Sequence, residues 1–335
     1  MTTMEQIILT KRPQGAPTLE NFEFRKTNIP EPSHKEVLVE THYVSVDPYM
    51  RGRMEDTKSY VEPFKLNEVL NGGVVGKVIE SNSDLFNEGD FVIGHLGWQE
   101  YSVAKENELR KVDENIAPLS SYLGVLGMPG LTAYFGMREI GKPQKGETVL
   151  VSGAAGAVGM IAGQIAKLQG AKVIGIAGSD KKIDYLINKA GFDHAINYKT
   201  TKDINQSLLE LCPEGIDVYF DNVGGPISEA VYPLLNTFAR IPQCGAISSY
   251  NKQEDDIGPR IHTYLIKSRV LIQGFIVGDY APKFQEASQE LGRMLQDGQL
   301  IYEETVTDGF KKIPEAFLGL FKGENLGKQL IRVKR

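Results

Sequence analysis

The chain has 335 residues, 41% of them hydrophobic and 24% charged, with 37 Lys and Arg against 43 Asp and Glu and a formal net charge of −6. At about 150 residues per domain this length predicts two domains, and the acidic balance excludes the broad basic footprint of a nucleic-acid binder. Two cysteines, Cys212 and Cys244, exclude a disulfide framework and a four-cysteine zinc site.

The N-terminal apolar stretch, Ile7 to Leu9, is too short for the core of a secretory signal. One long uncharged run, Thr148 to Ala166, holds 19 residues, but four are Gly and five Ala, so it transfers poorly into lipid. A soluble, reduced, cytoplasmic protein is the expectation. Val37 to Val39, Val74 to Ile79 and Phe91 to Ile93 are short strand-like runs, separated by clusters such as Asn71-Gly72-Gly73 and Glu88-Gly89-Asp90. They predict a small β-rich barrel or sandwich.

From Glu147 the pattern changes. Thr148 to Ser152 reads as a buried strand, followed by a Gly-rich turn and a helix with Val158, Ile161, Ala162, Ile165 and Leu168 on one face. Gly170 closes that helix. Lys172 to Ala177 is a second buried strand, Ile183 to Ala190 a helix, and Ala195 to Asn197 and Ile216 to Phe220 further strands. Ile241 to Ser248 and Val270 to Val277 continue the alternation. Such order predicts an α/β fold with a doubly wound parallel sheet. Val306 centres a short strand, and Leu330 to Val333 a terminal one that is expected to dock back into the first domain.

The strongest chemical signal is SGAAGAVG, Ser152 to Gly159, between a strand and a helix. Gly156 would admit a pyrophosphate and Gly159 would let helix and strand pack closely, with the turn backbone of Ala155, Gly156, Ala157 and Val158 beneath the phosphates. Ala154 replaces the first Gly of the usual G-x-G-x-x-G, and the surrounding βαβ pattern is what gives the motif weight. At the end of the second strand, where NAD enzymes place an acid, the chain reads Ala177-Gly178-Ser179, followed by Asp180, Lys181 and Lys182. A hydroxyl and lysines suit a ribose 2′-phosphate, so NADPH/NADP+ is the expected cofactor.

These residues, with VDPYMRGRM (Val46 to Met54), NGGVVGKV (Asn71 to Val78), MPGLTAYFG (Met128 to Gly136), NYKT (Asn197 to Thr200), DNVGG (Asp221 to Gly225), QGFIV (Gln273 to Val277) and NLGKQLI (Asn325 to Ile331), resemble the zinc-free branch of the medium-chain dehydrogenase/reductase superfamily. Within it the chain is similar to the prostaglandin reductase, alkenal double-bond reductase and curcumin reductase group. The resemblance implies a GroES-like β-rich catalytic domain over residues 1–122, a Rossmann NADP-binding domain over 123–298, and a segment, 299–335, returning to the catalytic domain. It also implies a homodimer, joined through the edges of its Rossmann sheets.

Carried over by position, Lys182 and Tyr198 hold the 2′-phosphate and flank the adenine, and Asn222 lies at the adenosine side. Met128 and Thr132 lie beside the nicotinamide and its ribose, Tyr250, Phe275 and Val277 line the nicotinamide, and Asn325 reaches its half of the cofactor. Zinc members carry Gly-His-Glu where this chain reads Asn71-Gly72-Gly73-Val74, and they need a first-domain cysteine that is missing here. No metal is therefore expected, and His34, His42, His95, His194 and His262 read as structural or surface residues. Plant and mammalian members place a tyrosine where this chain has Lys267. The proton donor is thus left open among Tyr49, Tyr60, Tyr250 and Tyr264. The expected reaction is NADPH-dependent reduction of the carbon–carbon double bond of an enone or enal. A quinone reductase and a catalytically silent NADP-binding protein are the alternatives.

Overall fold

A computed structural model describes residues 2–334. The chain opens with β1 (Thr3–Leu9) and β2 (Phe22–Asn28), an antiparallel pair. Next come β3 (Glu36–Ser45), the short helix α1 (Met50–Arg53), β4 (Asn71–Ser81), β5 (Phe91–Gly97), β6 (Tyr101–Lys105) and β7 (Leu109–Lys111). Helix α2 (Met128–Phe135) leads into β8 (Thr148–Ser152), α3 (Gly159–Leu168), β9 (Lys172–Ala177), α4 (Asp180–Asn188), β10 (His194–Asn197), α5 (Ile204–Leu211) and β11 (Ile216–Phe220). Then follow α6 (Gly225–Val231), β12 (Leu235–Gln243), α7 (His262–Ser268), β13 (Leu271–Gly274) and α8 (Phe284–Gln296). The chain closes with β14 (Glu304–Asp308), α9 (Ile313–Lys322) and β15 (Lys328–Arg332).

Two compact units result. The first takes residues up to Leu123, then Glu304–Asn325 and the chain from Gln329; the second takes Gly124–Glu303 and Leu326–Lys328. The first unit is built on the sheet order β14-β15-β3-β4-β5-β7, with β6 also on β3. The terminal strand pairs antiparallel with β3, Ile331 opposite Val44. Its core gathers the inward residues of these strands around Trp98, which stacks on Phe22 and meets Phe317 of α9 edge-on. Each large apolar side chain so buried contributes about 1.5–3 kcal/mol.

The second unit holds the six-stranded order β10-β9-β8-β11-β12-β13, every pairing parallel. The order reverses between β8 and β11, the topological switch point of a dinucleotide-binding sheet. Continuous β-branched runs let β8 and β9 sit buried on both faces. Gly170, at φ +82, ends α3 in the left-handed conformation that glycine adopts freely.

Three expectations change. Helix α3 is buried all round from Gly159 to Ala166, while Leu168, expected on its inner face, is exposed. Strand β12 runs from Leu235 to Gln243, not Ile241 to Ser248. The residues beyond Gln243 leave the sheet because their N–H groups bind the loop after β11 instead: Cys244 and Gly245 donate to the Asp221 carbonyl, Ser248 to that of Val223. Strand β13 stops at Gly274, and Val277–Lys283 coils into a 3₁₀ turn.

Candidate active site

In the second unit β8 ends at Ser152, Gly153 turns the chain at φ +58, and α3 starts at Gly159. A Cβ on Gly159 would lie 2.4 Å from the Gly153 carbonyl oxygen and 2.8 Å from the Ala154 Cα, so only glycine lets the helix start this close to the strand. A Cβ on Gly156 would meet only the Gly153 oxygen, at 3.2 Å. The turn is braced from the returning chain: the Gly327 N–H donates to the Ala155 carbonyl at 2.8 Å, and Gly156 bridges to Gly327 in parallel register. Ala155 is buried, while Gly156, Ala157 and Val158 are half-buried. The helix behind them directs its positive dipole end at the turn.

The end of β9 is cationic. Ser179 caps α4, its Oγ accepting from the Lys182 N–H at 3.4 Å, so the hydroxyl expected in a phosphate pocket also serves the helix. Lys182 stands in the first turn of α4, where the dipole disfavours a cation. Burial, then the neighbouring charge of Lys199, holds its ammonium below the usual lysine range. A Cβ on Gly178 would strike the Tyr198 ring at 2.9 Å and the Lys199 side chain at 3.2 Å. Gly178 thus lets an exposed tyrosine ring and a second lysine lie over the strand end. Two lysines near a helix start form a cationic end of the strand that suits an anion. Lys199 was missed in the sequence, although it stands in the NYKT string beside Tyr198.

The loop after β11 faces the same end of the sheet. Asp221 is buried, and its carboxylate accepts from Ser152, Tyr219 and Ser228 hydroxyls and from the Val223 and Gly224 N–H groups. Asn222 spends its side-chain amide on the Ser152 carbonyl at 2.7 Å. Tyr250 lies on the loop beyond β12; its oxygen accepts from the Ala246 N–H at 3.2 Å, which leaves its own hydrogen to donate. Burial raises its pKa above the ordinary tyrosine value. Thr132 on α2 donates to the Met128 carbonyl at 2.7 Å, with Met128 partly exposed beside it. Phe275 packs against Gly136 and edge-on to Phe220, and Val277 follows, half-buried. Tyr264 stands on α7.

In the first unit Tyr49 precedes α1 and packs against the core. Burial, then the nearby charge of Asp47, raises the pKa of its hydroxyl, and Tyr60, close enough to influence it electrostatically, is exposed in the following loop. Arg53 Nη1 donates to Asn71 Oδ1 at 2.7 Å, and His95 Nε2 lies 3.0 Å from the same oxygen. His95 therefore belongs to a polar cluster. Burial, then the Arg53 charge, holds its imidazole below the ordinary histidine range. Asn325, half-buried, falls where the chain passes from the first unit to the second. Among the described residues no group of three His, Cys, Asp or Glu is placed to hold a metal ion.

Residues 5–112 match the family profile described as the N-terminal domain of oxidoreductase, and residues 157–293 the one described as zinc-binding dehydrogenase. The chain is 61% identical, over 99% of its length and 98% of the relative's, to YfmJ of Bacillus subtilis, a protein provisionally named an NADP-dependent oxidoreductase. It is 42% identical to the NADP(+)-dependent 2-alkenal reductase of Nicotiana tabacum, over 99% of this chain and 98% of that one. Among solved structures, CurA of Vibrio vulnificus in complex with NADPH superposes with a TM-score of 0.95 at 42% identity, covering 99% of each chain.

Proposed function

The chain belongs to the zinc-free branch of the medium-chain dehydrogenases and reductases, in the group of the alkenal, curcumin and prostaglandin reductases, and from that membership we propose that it uses NADPH to reduce the carbon–carbon double bond of α,β-unsaturated ketones or aldehydes. The observation that carries the reading is the pair of lysines beside Tyr198 at the end of β9, with the glycine turn at the end of β8. This arrangement fits a dinucleotide with an extra phosphate. The likeness to a 2-alkenal reductase supports the reaction class.

Bound NADPH supplies a hydride from C4 of its nicotinamide. Lys182 and Lys199 hold the 2′-phosphate, the Tyr198 ring flanks the adenine, and the backbone from Ala155 to Val158, with Gly178 and Ser179, cradles the rest of that half. Asn222 fixes the loop at the adenosine side. Met128, Thr132, Tyr250, Phe275, Val277 and Asn325 serve the nicotinamide half. With no metal ligands in the chain's zinc position, negative charge gathering on the substrate carbonyl is met by hydrogen-bond donors. Tyr49 and Tyr250, both raised above the ordinary tyrosine range chiefly by burial, keep their protons at neutral pH and serve as such donors. The α-carbon then takes its proton from a tyrosine or water.

The second unit holds the cofactor in this reading. A second copy of the chain pairs through the β13 edge. Among the described residues that edge strand has no partner on its outer side, and Phe238, Ile266 and Leu271 are exposed on it and on neighbouring elements. We place the enzyme in the cytoplasm, in keeping with two unpaired cysteines.

Purified protein should consume NADPH when given enals or enones, and yield the saturated carbonyl compound. NADPH oxidation with quinones alone, or binding without turnover, overturns the reading. Sedimentation at micromolar concentration should show a dimer.

A further inference from the structure

Where β11 ends, the second unit buries a carboxylate among neutral partners. Asp221 is 1% exposed. Its Oδ1 accepts from the Ser152 and Tyr219 hydroxyls at 2.9 and 3.0 Å, and from the Val223 and Gly224 N–H groups, each at 2.9 Å. Its Oδ2 accepts from the Ser228 hydroxyl at 2.6 Å. Ser152, Tyr219 and Ser228 are themselves buried, so dipoles hold this charge rather than water or an ammonium group. A charge in such a place is costly, and only its hydrogen bonds make it tolerable. Four of the five donors converge on one oxygen. A neutral asparagine would offer that same oxygen, so bracing the loop does not by itself call for the charge.

The charge stands at the switch point of the sheet. Asp221 directly follows β11, the neighbour of β8, and its Oδ1 ties the last residue of β8 to the loop after β11. Ligands of such sheets lie outside the carboxyl ends of these strands. Asp221 also seats the loop that carries Tyr250. Its carbonyl accepts from the Cys244 and Gly245 N–H groups at 2.8 and 3.1 Å, and a Cβ on Gly245 would stand 3.2 Å from the Tyr250 hydroxyl. Tyr250 serves the nicotinamide in the reading above. There the two forms of the cofactor differ by one charge: when the C4–H bond breaks and hydride leaves with its electron pair, the neutral dihydronicotinamide becomes a pyridinium cation. We propose that the Asp221 carboxylate is the fixed counter-charge to that cation. It favours bound NADP+ over bound NADPH, and so makes the bound cofactor a stronger hydride donor. The proposal rests on the NADPH reading above and is independent of the substrate.

The test titrates full-length protein with NADP+ and with NADPH at one ionic strength, with thermal unfolding measured alongside. Two charges about 10 Å apart inside a protein shift an equilibrium roughly tenfold. Asp221→Asn, which keeps the shared oxygen and removes the charge, should therefore weaken NADP+ about tenfold and change NADPH by less than about twofold. Ser228→Ala, which removes a donor and keeps the charge, should leave the ratio of the two Kd values within about twofold, whatever it does to the Tm. If Asp221→Asn does not fold, Asp221→Ser takes its place. A ratio unmoved by loss of the carboxylate, or moved equally by Ser228→Ala, overturns the proposal and leaves Asp221 a brace of its loop. Failure of both Asp221 variants to fold overturns it as well. Failure of the unmutated chain to bind either form removes the NADPH reading and the proposal together.

Discussion

The glycine turn of the second unit and the Tyr49 corner of the first solve opposite problems. The turn presents backbone. Its chemistry lies in N–H groups, a helix end and the absence of Cβ atoms, all supplied by residues consecutive in the chain. The Tyr49 corner presents side chains gathered from three distant segments, with Asn71 18 residues from Arg53 and His95 42 residues from it. A backbone site fails when something is added, whereas a side-chain site fails when something is taken away.

The sharpest test of that contrast adds one methyl group. Gly159→Ala forces a Cβ against the Gly153 carbonyl, and overpacking of this kind costs about 1–3 kcal/mol. Calorimetry should show a lowered Tm and NADPH titration a loss of affinity. Gly156→Ala should leave the Tm nearly unchanged and weaken NADPH alone. If both behave alike, the turn has no open and closed sides.

Removing Lys182 takes away a charge-assisted contact worth about 1.5–3 kcal/mol, or roughly ten- to a hundredfold in affinity. Lys182→Ala should raise the KM for NADPH and barely move that for NADH. Equal effects on the two cofactors would detach this lysine from the 2′-phosphate.

Smaller effects belong to the tyrosines. Tyr49→Phe, Tyr60→Phe, Tyr250→Phe and Tyr264→Phe should each lower turnover by less than about a hundredfold, because ribose hydroxyl or water shares the proton. A thousandfold loss in one of them, with cofactor affinity intact, would identify a dedicated donor.

Two conditions should change nothing. The folded-state pKa of Tyr49 is raised, so its proton is lost only at higher pH than an ordinary tyrosine's. Hydride transfer should therefore stay level from about pH 6 to 9. Dialysis against a strong chelator should also leave the rate unaltered, and zinc-restored activity would contradict a metal-free site.

How legible each region was follows from the same contrast. β8, β9 and β11 run where the sequence places them, because strands buried on both faces are written as unbroken apolar runs. β12 was not legible. Its register with β11 jumps between Leu235 and Arg240, and Phe238 takes a positive φ of 65° inside the irregularity, which no apolar pattern announces. β1, β2, β6 and β7 were passed over because half-exposed strands carry charged residues on their outer faces. For the site, the turn, Lys182 and Tyr198 could be read from local motifs. The Arg53, Asn71 and His95 cluster could not, since contacts across strands leave no periodic trace in the chain.

The pairing of β15 with β3 gives synthesis on the ribosome a particular order. Strand β3 emerges long before its partner strand, so Val44 and Ser45 wait for Ile331 and Leu330. The Ala155 carbonyl likewise waits for Gly327, whose own backbone is so close to Glu303 that any side chain would collide with it. Neither contact can form until the residues from Gly327 to Arg332 have been made. A nascent chain stalled before that segment would show a ready-made sheet edge in the first unit and an unbraced turn in the second, and would invite chaperones and proteases.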